Sequence, residues 1–194
     1  MTSLATLNHP QMRRAIRALS LPGLIRLVSE IDDNGPISRR RGSLQNTFGD
    51  LALPQLRHAL DRARGFGVVA CDEDERVRCR LTPSGEDLAS VYDTAARWAR
   101  AHQYPTAAGD FVTRVQSTLK LLGQAPTAAV RDADWMGESV GLLVDSAVVL
   151  SADAVFSLGG PQTALAQWLQ ANPQVLRYVA PQSNHAADDM EPAA

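Results

Sequence analysis

Long apolar runs are absent from this sequence of 194 residues. A helix that crosses a membrane needs about 20 consecutive apolar residues, and no run approaching that length occurs. Residues 1–5 also lack the basic segment and apolar stretch that begin a signal peptide. We therefore expect a cytoplasmic protein with no membrane partner and enough chain for one or two compact domains.

Cysteine and histidine are scarce, with two and four residues respectively, and they form no zinc-binding spacing. The sequence also contains no GxGxxG motif and no phosphate-binding P-loop. The scattered histidines lie at no recognisable nucleophile–base spacing. These absences predict a protein that is not an enzyme and has no metal or cofactor.

Lysine is almost missing as well, since Lys120 is the single lysine among 19 basic residues. The formal net charge of −2 conceals an asymmetry along the chain. Positive charge exceeds negative charge in residues 1–100, and negative charge exceeds positive charge in residues 101–194. A basic first half beside an acidic second half is typical of a DNA-binding module joined to a further module.

The main pattern that the sequence does contain is apolar residues at helical spacing. Proline at positions 10 and 22 suits the first turn of two successive helices, the first predicted to run to residue 20. Residues 32–36 (DDNGP) predict the end of the second helix. Residues 38–42 read as a basic loop, and Ser43 is a candidate N-cap for a short helix over 44–51.

The next elements follow the order of a winged helix-turn-helix. Apolar spacing after Pro54 predicts a recognition helix over 53–65. Residues 68–71 and 77–81 then read as two strands, because the second alternates apolar residues with arginine. An acidic turn (72–75) joins them, and Thr82 is a plausible N-cap for a long helix over 83–103. The predicted fold is mainly α with a small β-hairpin wing.

This region resembles the winged-helix regulators of the MarR and HxlR kind. The similarity lies in RGFGVV at residues 64–69, in the LTPSG turn at 81–85 and in the Trp–Ala pair at 98–99. It covers roughly residues 10–104, about half of the chain. The resemblance implies a regulator that binds operator DNA as a homodimer.

The rest of the chain predicts a second, helical module. Residues 104–109 read as a linker, and helices are predicted over 110–123, 136–150 and 161–171, with a short one after Pro173. We divide the chain into a flexible start (1–9), a winged-helix domain (10–104), a dimerisation or effector module (110–180) and a disordered tail (181–194).

Two sets of polar residues are candidates for contact with double-stranded DNA. Arginine can donate two hydrogen bonds to guanine and glutamine can pair with adenine, and the early residues of a recognition helix enter the major groove. Other arginines would hold phosphates without distinguishing the sequence. The helix candidates are Gln55, Arg57, His58 and Arg62, and the phosphate candidates are Arg39, Arg40, Arg41, Arg76, Arg78 and Arg80.

Each candidate also has a structural interpretation. The alternative for the helix residues is a polar face that only contacts solvent. The alternative for Arg39, Arg40 and Arg41 is a solvated loop. The strand arginines could pair with the carboxylates of the 72–75 turn, whose own charge would repel phosphates.

Cysteines and large aromatics allow two further hypotheses. Cys71 and Cys79 flank the turn of the wing, so a disulfide with a redox role is possible if they lie opposite each other, although a reducing compartment favours free, buried thiols. A small-molecule effector could bind among the large aromatics, which are otherwise core or interface residues. They are Tyr92, Trp98, Tyr104, Trp135 and Trp168.

The sequence thus predicts a nucleoid-associated, homodimeric transcriptional regulator with a possible small-molecule effector. Two other functions remain open. The winged helix could be a protein-interaction or dimerisation module without DNA binding, as its acidic turn suggests. The chain could also be a small-molecule-binding resistance protein, which quenching of tryptophan fluorescence by a ligand would support.

Overall fold

A computed structural model describes residues 10–38, 41–72, 78–124 and 150–179. These residues form a mainly helical protein, as the sequence predicts, and a small antiparallel sheet that has three strands instead of the two of the predicted hairpin. The elements are α1 (Pro10–Leu19), α2 (Pro22–Asn34), β1 (Ile37–Ser38), α3 (Arg41–Thr47), α4 (Leu53–Gly65), β2 (Val69–Cys71), β3 (Arg78–Leu81), α5 (Pro83–Ala101), α6 (Phe111–Gln124), α7 (Ala152–Ser157), α8 (Gly159–Ala171) and α9 (Pro173–Tyr178).

Several helices begin or end at the residues that the sequence predicts. At these positions a local side chain accepts a hydrogen bond from a free backbone N–H group, or a glycine adopts the backbone conformation that ends the helix. The Thr82 hydroxyl accepts a hydrogen bond from the Gly85 N–H at the start of α5. Asp110 accepts one from the Thr113 N–H at the start of α6, and this bond lowers the pKa of Asp110. Helix α2 ends at Gly35, whose φ of 79° is accessible to glycine at little cost.

Helix α5 lies at the centre of the core and packs against α2, α6 and α8. Its Tyr92 is fully buried and donates a hydrogen bond of 2.9 Å to the Leu19 carbonyl at the end of α1, and burial raises the pKa of this phenol. Buried residues of α6 and α8, such as Leu119 and Leu165, belong to the same hydrophobic cluster as those of α1 and α2. Helices on both sides of residues 104–110 therefore share one core.

Strand β3 is the middle strand of the sheet. It pairs antiparallel with β1, which places Ile37 opposite Cys79, and with β2, which places Cys71 opposite Cys79. Strand β1 was not predicted, since two residues are too few to show the alternation that identifies a strand.

Further predictions need correction. Helix α3 is Arg41–Thr47 instead of 44–51, so residues 41 and 42 do not belong to the predicted basic loop and Ser43 lies inside the helix instead of capping it. The long helix ends at residue 101 instead of 103, since Gln103 has a φ of 52°. Helix α7 was not predicted.

Several predictions lie outside the described residues. They are the flexible start (1–9), the disordered tail (181–194), nearly all of the helix over 136–150, and Arg39, Arg40, Arg76 and Trp135. Among the described residues, no helix has both the length and the apolar character that crossing a membrane requires.

Candidate nucleic-acid interface

Helix α4, the predicted recognition helix, is attached to the core along one face. Leu56, Ala59, Leu60 and Ala63 are buried on that face. Helix α4 lies close to α2, because a Cβ atom added to Gly23 would come within 3.3 Å of the Ala59 Cβ. The opposite face of α4 carries exposed polar residues, including Arg57, His58 and Asp61.

The four predicted contact residues of α4 differ in their surroundings. Arg57 and His58 are exposed and make no hydrogen bond or ion pair within the described part of the chain. Gln55 is also exposed, but its Oε1 atom accepts a hydrogen bond from the Ala52 N–H and helps to begin the helix. Arg62 is half-buried, and its guanidinium lies 5.9 Å from the centre of the Tyr178 ring. Arg57 and His58 are therefore the most available for a partner.

Grooves lie on both sides of this exposed face. A groove of about 320 Å³ is lined by Leu44 of α3 and by Arg57, Leu60, Asp61 and Arg64 of α4. A larger one of about 750 Å³, here called the arginine groove, lies between α1, α4 and α9. It is lined by Arg14, Arg17, Ala18, Leu21, His58, Asp61, Arg62, Arg177, Tyr178 and Val179.

Arg14, Arg17, Arg64 and Arg177 were not among the predicted site residues. Arg14 and Arg17 stand three residues apart on α1, on the side opposite buried Met12 and Ile16. Such spacing marks an exposed helix face, which is a signal that the sequence contained. No pattern in the sequence places Arg177 beside them, because α9 reaches α4 only through the tertiary fold.

The last described helix is fitted to the end of α4. The Tyr178 ring packs edge-on against the ring of Phe66, with centres 5.2 Å apart. Gln174 Nε2 donates a hydrogen bond of 3.3 Å to the Phe66 carbonyl. A Cβ atom at Gly65 would lie 2.3 Å from Tyr178 Cε2, so glycine at this position leaves the space that the tyrosine ring fills.

On the hairpin, the predicted phosphate contacts are only partly available. Arg80 forms an exposed ion pair of 3.0 Å with Asp72, so the alternative of pairing within the hairpin holds for this arginine. Arg78 is exposed on the same strand and has no ion-pair partner among the described residues. The backbone of Arg41 begins α3.

Cys71 and Cys79 lie opposite each other and form a disulfide, with Cα atoms 4.1 Å apart. The sequence allowed a disulfide if the two cysteines lie opposite each other, and they do. The alternative of two free thiols is wrong. Cys79 is fully buried on the middle strand, so the bond fixes β2 to β3 beside the core.

Reduction of this disulfide is expected to lower the free energy of unfolding by about 2.5 kcal/mol, because the unfolded chain loses the constraint of a short closed loop. Urea denaturation with and without dithiothreitol measures the difference. The variant Cys71→Ser, which cannot form the bond, should show no further effect of the reductant. Equal stability of the oxidised and reduced wild-type protein would contradict the expectation.

Of the predicted aromatic residues, the four that lie in the described part of the chain line neither of the two grooves. Tyr92, Trp98, Tyr104 and Trp168 are all buried. Trp98 lies 5.6 Å from Tyr104 between ring centres and donates its indole N–H towards the Ala154 carbonyl and the Ser157 hydroxyl. The Trp168 indole N–H donates to the Ser84 carbonyl. These four side chains thus have the surroundings of core residues. This is the second of the two interpretations that the sequence allowed for them, the first being a ligand pocket.

Comparisons with known proteins provide no relative from which a function could be transferred: no family model matches the chain, and no curated protein or solved structure is similar to it. The described residues contain no group of three or more potential metal ligands. The resemblance to MarR and HxlR regulators stays a prediction, and function is inferred here from residues and geometry.

Proposed function

We propose that this protein is a transcriptional regulator that binds operator DNA as a homodimer. The observation that carries the proposal is the exposed face of α4, where Arg57 and His58 are available and arginines line the grooves on either side. The major groove of B-DNA, which is about 12 Å wide, admits an α-helix with exposed polar residues of this kind.

The order of elements supports the same function. Helices α2, α3 and α4 are interrupted by β1 and followed by β2 and β3, with β3 between the other two strands. A winged helix-turn-helix has this order, with α4 in the position of the recognition helix. Helix α3 would then cross the DNA backbone while α4 enters the groove.

The exposed residues of α4 and of the hairpin differ in the contacts with DNA that they can make. Arg57 lies in the first half of α4, and an arginine can donate two hydrogen bonds to a guanine. His58 is its exposed neighbour, and Arg64 lies farther along the helix in the smaller groove. On the hairpin, Arg80 pairs with Asp72 and is therefore less available to a phosphate than the exposed Arg78.

Homodimerisation is part of the proposal because one recognition helix contacts only a few base pairs. Two copies related by a two-fold axis double the contacts and bind half-sites about 34–36 Å apart. Phe156 of α7, with 85% of its surface exposed, is an apolar residue available on the C-terminal helices for such an interface.

The test measures fluorescence anisotropy of labelled duplex DNA from upstream of the gene, with a shuffled duplex for comparison, across a salt series. We expect selective binding of the upstream duplex that weakens as salt rises. Arg57→Ala should weaken this binding roughly 5- to 150-fold, the effect of one lost bidentate base contact of about 1–3 kcal/mol. The shuffled duplex should be affected much less.

Arg97→Ala is the matched control, since Arg97 is an exposed arginine of α5 outside both grooves. It should leave both affinities unchanged. Equal, weak binding of the two duplexes that is indifferent to Arg57→Ala would refute the regulator and favour a protein-interaction module.

A further inference from the structure

The arginine groove concentrates positive charge that the rest of the described chain does not neutralise. Four arginines line it, at positions 14, 17, 62 and 177, against the single carboxylate of Asp61. None of these arginines forms an ion pair with a carboxylate among the described residues. By contrast, Arg26 and Arg80 elsewhere in the structure are ion-paired.

The groove is continuous with the proposed DNA-binding face. His58 and Asp61 line the groove and also lie on the exposed side of α4, so a partner seated on α4 would extend over the groove. Arg14 and Arg17 approach from α1, and Arg177 approaches from α9. Three helices far apart in sequence therefore present arginine side chains to one concave surface.

The arginines of α1 present two charges to the groove from one side. Arg14 and Arg17 are exposed, lie about one turn apart on the same face of α1 and both line the groove, so a polyanion seated there meets more than one guanidinium. Arg62 stacks on Tyr178 and is half-buried, which fixes its guanidinium at the edge of the groove.

We propose that the arginine groove holds the phosphodiester backbone of duplex DNA next to the bases that α4 contacts. Helices α1 and α9 are then part of the DNA interface, and the C-terminal helices contribute to DNA binding as well as to assembly. This inference rests on the proposed function and extends its contact surface. Its contacts are with phosphates, so they add affinity and salt dependence and do not distinguish one sequence from another.

The experiment compares the double variant Arg14→Ala/Arg17→Ala and the single variant Arg177→Ala with the wild-type full chain. Anisotropy titrations of the upstream and shuffled duplexes across a salt series give the slope of log Kd against log salt. Each lost phosphate contact should reduce the slope by about 0.9. Both duplexes should lose affinity by the same factor, so the ratio of the two Kd values should not change.

Two controls separate phosphate contact from damage to the fold. Arg13→Ala removes an exposed arginine from the same helix outside the groove, and it should leave the slope unchanged. Arg14→Lys/Arg17→Lys retains the point charges that a phosphate requires, and it should restore most of the slope. Thermal unfolding, monitored by circular dichroism, verifies that each variant is folded.

The outcomes distinguish this inference from the proposed function. If Arg57→Ala abolishes selectivity while the groove variants keep the full slope, the inference is wrong and the regulator stands. If the groove variants reduce the slope but the wild-type protein shows no selectivity, the groove binds DNA and the regulator is wrong. If neither duplex binds at all, both are wrong.

Discussion

Gly85→Ala is expected to destabilise the protein by about 3 kcal/mol or more, near the upper end of what overpacking in a core costs. Gly85 is buried in the first turn of α5, where a Cβ atom would lie 2.1 Å from the Val68 carbonyl oxygen. That oxygen accepts a hydrogen bond from the Thr82 N–H, so moving it away would break the junction between the hairpin and α5. The clash is with backbone, which cannot rotate out of the way.

Gly160→Ala is the matched control for this prediction. Gly160 also lies in the first turn of a helix, but nothing is found within 4 Å of the position that its Cβ would take. Alanine favours helix over glycine by roughly 0.8–1.0 kcal/mol in a helix interior, so this change should leave stability equal or slightly higher. Urea denaturation of both variants measures the difference in free energy of unfolding. Similar values for the two variants would contradict the close packing at Gly85.

The elements flanking Gly85 were predictable from the sequence because their signals are local. Helix α4 was predicted with its observed bounds, since four apolar residues at helical spacing follow Pro54 and glycine ends the run. The hairpin and the start of α5 follow from alternation in β3 and from the Thr82–Pro83 pair. Strand β1 was not predicted because its existence depends on pairing with β3, about 40 residues later in the chain.

The proposed interface was predictable only in part. Exposure of Arg57 and His58 follows from their position opposite the apolar face of α4. Convergence of Arg14, Arg17 and Arg177 does not follow from sequence, because an exposed arginine looks the same whether it faces open solvent or another helix. Pairing with a carboxylate of the hairpin was one of two interpretations of Arg80, and the structure contains such an ion pair with Asp72.

A buried hydrogen-bond network joins α9 to the rest of the protein, and its centre is Asn172. This side chain is only 5% exposed. Its Oδ1 atom accepts hydrogen bonds from the Ser84 hydroxyl of α5 and from Gln174 Nε2 of α9. Its Nδ2 atom donates a bond of 2.9 Å to the Trp168 carbonyl of α8. One amide thus connects three helices immediately before the helix that carries Arg177 and Tyr178.

Asn172→Ala is therefore expected to lower the free energy of unfolding by about 3 kcal/mol. The reason is that a partner left buried without a hydrogen bond costs about 1–3 kcal/mol. The carbonyl of buried Trp168 loses its bond to Asn172, and so does the hydroxyl of half-buried Ser84. Asn34→Ala is the control, since Asn34 donates to Glu30 at an exposed site and its loss should change stability by less than about 0.5 kcal/mol. Urea denaturation of both variants provides the measurement.

A double-mutant cycle with Ser84→Ala tests whether the effect comes from the network itself. If the two side chains act through their mutual bond, the double variant should be more stable than the sum of the single effects predicts, by about 0.5–3 kcal/mol. Strict additivity would show that Asn172 stabilises the protein in another way. Where DNA binding is observed, folded Asn172→Ala should also have a smaller salt slope, because the network that positions Arg177 is lost. An unchanged slope would mean that Tyr178 and Phe66 hold α9 against α4 without it.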